Sequence, residues 1–193
     1  AVDGVRGGFA LAVSADGALA ATGQRDGAVT VLRTDGTGAP RRLRHQGGRV
    51  NGLAFSPDGA WLLAAGQEGA VHLHRLDGAA APATLALGGA PLTRLAVSPD
   101  GRRAAVASQD GRVRLLALDP LRVVATDVHD APVLDLAFTP DGLGLASGDG
   151  EGLVRLLDAG AGAPVAGAAT GQPALALARP SPSGVNARSS TGA

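Results

Sequence analysis

The 193-residue chain carries 17 basic and 17 acidic side chains, so its formal charge is zero, and 45% of its residues are hydrophobic but only 2% aromatic. Every basic residue is Arg, and Cys, Met, Tyr, Ile and Lys are absent; this excludes disulfides, thiolate metal sites, cysteine nucleophiles, the lysine of a P-loop and Schiff-base chemistry. Zero net charge gives no electrostatic case for nucleic acid or an anionic membrane surface, and Arg without Lys beside Leu and Val without Ile is the mark of GC-biased coding, from which we expect a bacterial source.

The first residues, Ala1-Val2-Asp3-Gly4-Val5-Arg6, lack the basic and apolar regions of a signal peptide. With no initiator Met, the expectation is a cytoplasmic piece of a longer chain. A repeat of about 42 residues follows. Asp16-Gly17, Asp58-Gly59, Asp100-Gly101 and Asp141-Gly142 mark its first turn, and Asp26-Gly27, Glu68-Gly69, Asp110-Gly111 and Glu151-Gly152 mark a second, always ten residues on.

Within each repeat the first apolar segment, such as Val50 to Phe55, holds a small residue at one place: Ala12, Ala54, Ala96 and Ala137. That placement suits a strand crowded near an axis. Ser56-Pro57-Asp58-Gly59, Ser98-Pro99-Asp100-Gly101 and Thr139-Pro140-Asp141-Gly142 then predict a type I turn with Pro at its second position and Gly at its fourth. A second strand leads to the acidic-Gly pair, read as a two-residue hairpin turn. Third strands are predicted at Val29 to Leu32, Val71 to His74, Val113 to Leu116 and Val154 to Leu157. Fourth segments are predicted at Arg41 to Arg44, Ala83 to Leu87, Leu121 to Ala125 and Val165 to Ala168. Ala159 to Ala178 is uncharged but too poor in large apolar residues to span a membrane.

Four antiparallel strands per unit make one blade, and over residues 8 to 168 the pattern closely resembles the WD-repeat family. We therefore expect an all-β fold, a β-propeller of about four four-stranded blades forming an incomplete ring or partial propeller. Residues 1–178 hold the blades, at approximately 8–48, 49–90, 91–131 and 132–168. A fifth begins at 174–178, and 179–193 form a loose Pro/Ser/Gly tail. Arg179-Pro180 stands where an inner strand needs apolar residues, and Pro cannot donate to a central ladder.

The resemblance implies a structural hydrogen-bonded set of His129, Ser147 and Glu151 in the fourth repeat, with Leu157 in place of the family's Trp. Leu32, His74 and Leu116 hold the Trp position elsewhere, and Gln46 and Gly88 hold the His position, so apolar packing is expected to dominate those blades. The family's partner-binding rim carries over to Arg25, Arg49, Asn51, Gln67, Thr93 and Gln109. These residue types suit an interface of Arg anchors and adaptable amides.

Other constellations are read structurally. The eight repeated acids sit beside turn glycines and are spread around a ring, whereas a general acid and base share one pocket. His72 and His74 share a strand face, but only His45 and His129 remain as further imidazoles, so no metal site is expected. Gly148-Asp149-Gly150-Glu151-Gly152 leads into a strand and lacks the helix N-terminus of a phosphate loop. Arg41, Arg42 and Arg44 form the one dense basic cluster, read as charge on an outer strand, because three Phe and one Trp offer little for bases to stack on. Neither a catalytic residue nor a cofactor is expected. The leading reading is a noncatalytic protein-protein interaction scaffold or sensor within a larger bacterial signalling protein, with proteins as partners and possible self-association through open blade faces. The alternative is a ligand-binding or hydrolytic propeller with a central-channel site.

Overall fold

The computed structural model describes residues 8–44, 47–78 and 81–169, and every regular element among them is a β-strand. The strands form four separate antiparallel sheets in chain order. The first comprises β1 (Gly8–Val13), β2 (Leu19–Gln24), β3 (Ala28–Arg33) and β4 (Arg41–Arg44), and the second β5 (Val50–Phe55), β6 (Trp61–Gly66), β7 (Ala70–Arg75) and β8 (Ala83–Ala86). The third comprises β9 (Leu92–Val97), β10 (Arg103–Ser108), β11 (Arg112–Leu118) and β12 (Leu121–Val128), and the fourth β13 (Val133–Phe138), β14 (Gly144–Asp149), β15 (Leu153–Asp158) and β16 (Pro164–Ala169). The all-β reading and the four-stranded units are thus borne out. The proposed fifth blade at 174–178, the tail at 179–193, and His45 and Gln46 lie outside the described residues.

The first turn forms as its local chemistry dictates. Gly59 N donates to Ser56 O at 2.9 Å, and the same bond closes at Gly17, Gly101 and Gly142. The Ser56 hydroxyl donates to Asp58 Oδ1 and accepts from Trp61 N at 3.0 Å, while Asp58 Oδ1 also accepts from Ala60 N. Hydroxyl and amide donors hold the carboxyls of Asp16, Asp58, Asp100 and Asp141 below the ordinary carboxylate value. Those acids are turn-forming groups.

The second turn differs from expectation. Gly27 N reaches back to Gln24 O, and Gly69, Gly111 and Gly152 do the same three residues back. Gly is therefore the fourth residue of the turn, at φ near 80° in the first and third repeats, which is the geometry of a type I turn followed by a bulge rather than a two-residue hairpin loop.

The first strand of each sheet lies against that of the next, β1 on β5, β5 on β9 and β9 on β13. Three apolar cores fill the spaces between successive sheets. Ala21, Val29 and Val31 meet Val50, Leu53, Phe55 and Leu62; Leu63, Val71 and Leu73 meet Leu92, Val106 and Leu116; Ala105, Val113 and Leu115 meet Val133, Leu136, Leu145 and Leu157. In each core the forward face of one sheet meets the backward face of the next in chain order. Ala12, Ala54, Ala96 and Ala137 are half-buried, so crowding at the inner strands is partial.

Candidate functional site

Where the chain leaves β12 and enters β13, His129 is buried against the fourth sheet. Its Nε2 lies 2.8 Å from Ser147 Oγ on β14, and its Nδ1 lies 3.0 Å from Asp149 Oδ2. Asp149 Oδ1 also accepts from Glu151 N at 3.0 Å and Leu153 N at 2.9 Å. The carboxylate of this set is therefore Asp149 and not Glu151. At the second turn Glu151 is exposed, whereas Asp149, two residues earlier, ends β14 beside the imidazole. Burial pushes the Asp149 carboxyl up, but the bonds from His129, Leu153 N and Glu151 N outweigh it and leave it below its ordinary value.

Ser-His-Asp connectivity is also that of serine nucleophiles. Here Ser147 is 0% exposed, and it does not line the small crevice formed by Val113, Leu115, Asp127, Leu145 and Leu157. The buried hydroxyl and carboxylate both engage the imidazole, and the set holds the loop to the sheet. In the second sheet a different network fills the same region. His72 Nε2 lies 2.5 Å from Glu68 Oε1, and its Nδ1 lies 3.0 Å from Thr84 Oγ1. Sequence reasoning missed it because Glu68 and His72 are brought together by the turn between β6 and β7, which spacing alone does not reveal. His74 is buried with its Nε2 unpartnered. Burial, then His72 and Arg41, lower its pKa to about 4.

The six predicted rim residues divide into two groups. Arg25, Arg49, Gln67 and Gln109 are exposed. Gln67 N donates to Arg49 O at 2.9 Å, and Gln109 N donates to Pro91 O at 2.9 Å, so each second turn is tied to the loop that enters its own sheet. Asn51 and Thr93 are instead committed within the molecule. Asn51 Nδ2 donates to Leu92 O at 2.8 Å and Thr93 Oγ1 donates to Val133 O at 3.0 Å, each joining one inner strand to the next. Arg49 Nε donates to Asn51 Oδ1 at 2.8 Å, which orients the guanidinium toward the start of β5.

The basic cluster is likewise used internally. Arg41 Nη1 donates to Leu76 O of the second sheet at 2.6 Å, and Arg42 pairs with Asp26 at 2.8 Å. No group of three or more metal-ligating side chains occurs among the described residues.

The family model described as WD domain, G-beta repeat matches residues 40–75, 84–115 and 120–158, together more than half of the chain. No curated protein matches it.

Proposed function

Since the chain belongs to the WD-repeat family, whose repeats are generally protein-interaction scaffolds, we propose that it is a noncatalytic scaffold or sensor module of a larger bacterial signalling protein, acting in the cytoplasm and also associating with itself through its open blade faces. The observation that carries the scaffold reading is the set of exposed side chains Arg25, Arg49, Gln67 and Gln109, displayed on turns whose backbones are tied down at Gln67 and Gln109. Pre-ordered loops lower the entropy cost of binding, and guanidinium and amide groups supply directional contacts.

Site-specific photo-crosslinking tests this directly. A crosslinker at Gln109 or Arg25 is expected to trap protein partners from cell extract, while one at Asp58, on the opposite turn, traps none of the same species. Replacing Arg25 and Arg49 with Ala reduces the yield without changing the β-sheet circular dichroism. Equal trapping from both turns, or a yield indifferent to both Arg residues, contradicts the rim assignment.

A further inference from the structure

The backward face of the first sheet is built like an interior one. At one repeat position stand Leu11, Leu53, Leu95 and Leu136; at the next on the same face stand Val13, Phe55, Val97 and Phe138. Leu53 and Leu136 are 8% and 6% exposed, each covered by the sheet before it, whereas Leu11 is 70% and Val13 55% exposed. Thr22 occupies the repeat position of Ser147, the hydroxyl that meets His129 of the preceding loop in the fourth sheet. The Thr22 Oγ1 atom is buried and has no partner among the described residues.

The forward face of the fourth sheet has the complementary character. Ala146, Val154 and Leu156 repeat Ala105, Val113 and Leu115 of the third sheet. The latter three are buried against the fourth sheet, while the former are half-buried. Forward face against backward face is the packing this chain makes three times within itself, with the same residue types at the same positions.

We propose that the forward face of the fourth sheet in one copy seats on the backward face of the first sheet in a second copy, and that the two chains close head to tail into a ring of eight sheets. This deepens the self-association proposed above and is independent of the rim. A heterologous contact forms a closed ring when its rotation completes a circle, and about four to eight blades is the usual range. Two copies satisfy both open faces at once, and the contact is made twice.

The test uses the full 193-residue chain. Sedimentation equilibrium at tens of micromolar is expected to give twice the mass of one chain for the wild type and the mass of one chain for Leu11→Asp and Val13→Asp. Both substitutions lie on exposed side chains, so the β-sheet circular dichroism stays the same. Because the chain has no Cys, Leu11→Cys and Ala146→Cys can be introduced separately. Mixed under oxidising conditions, those two variants are expected to form a covalent heterodimer several-fold more readily than either links to itself. A wild type with the mass of one chain, an unchanged mass in Leu11→Asp, or Leu11→Cys linking to itself as readily as to Ala146→Cys overturns the proposal. The rim crosslinks can succeed with a single chain, so failure here leaves the scaffold reading standing.

Discussion

Replacing His74 with Leu tests how the buried imidazole couples stability to pH. Burial holds its pKa near 4 against an ordinary value of 6.5. Between those values the unfolded chain binds a proton that the folded chain does not, so stability rises with pH across that window and is lost as the solution is acidified below about 6.5. From pH 7 to pH 5 the loss from this one group is about 2 kcal/mol, at about 1.4 kcal/mol per unit. The turn carboxylates, all depressed, lose their contribution only near and below pH 4, so they do not overlap the measurement. Leu is the residue at this position in the other three sheets, as Leu32, Leu116 and Leu157. At pH 7 His74→Leu also removes the unpartnered Nε2, which favours the variant by about 1 kcal/mol. The assay is urea unfolding followed by fluorescence of the single Trp61, which sits beneath the Arg75 guanidinium at 4.8 Å. Every other ionisable side chain is common to both proteins, so the difference between wild type and variant reports on His74. Identical slopes of stability against pH in the two proteins would refute the argument.

Asp149→Ala is expected to cost about 3 kcal/mol, because it strands His129 in a buried site and frees two backbone amides. Glu151→Gln, at an exposed position, stays within about 0.5 kcal/mol of wild type in the same urea titration. Gly111→Ala places a methyl against the carbonyls of His129 and Ala131 at positive φ and is expected to lower the melting temperature by more than 10 °C. Gly17→Ala, with the same backbone but open space around it, costs only about 1 kcal/mol. Asn51→Ala and Thr93→Ala each remove one bond between inner strands and lose about 1 kcal/mol of stability, while crosslinking yield from Gln109 is unchanged in Thr93→Ala.

Turns and strands were legible because their determinants are local. Ser56, Asp58 and Gly59 close one turn among themselves, and four repetitions of that turn fix where strands begin and end to within a residue or two. The fourth segment of the third repeat shows the limit: the sequence ends it at Ala125, whereas β12 continues to Val128. Nothing in its composition separates the strand from the loop that follows. Contacts between sheets were less legible. Asn51 and Thr93 look like exposed polar residues in sequence, and only the position of Leu92 O and Val133 O shows that they are bonded. The acid paired with His129 was misplaced by two residues for a related reason. The repeat aligns Glu151 with the turn acids, but reaching the imidazole depends on where the strand carries the side chain, and there Asp149 is nearer.

In a stack of similar units, stability approximates the sum of each unit's own terms and its contacts with neighbours. The second and third sheets have apolar neighbours on both faces, whereas the first and fourth have one each among the described residues. The fourth sheet also carries the bonds joining His129, Ser147 and Asp149, which tie it to the loop leaving the third. Among the described residues the first sheet has no counterpart: Thr22 stands at the serine position without a partner, and Leu11 and Val13 are exposed. Among the described residues its packing rests on the core it shares with the second sheet, so a surface that covers Leu11 and Val13 would add most to it. The other sheets place a neighbour there, and the first sheet repeats the same apolar pattern at Leu11 and Val13.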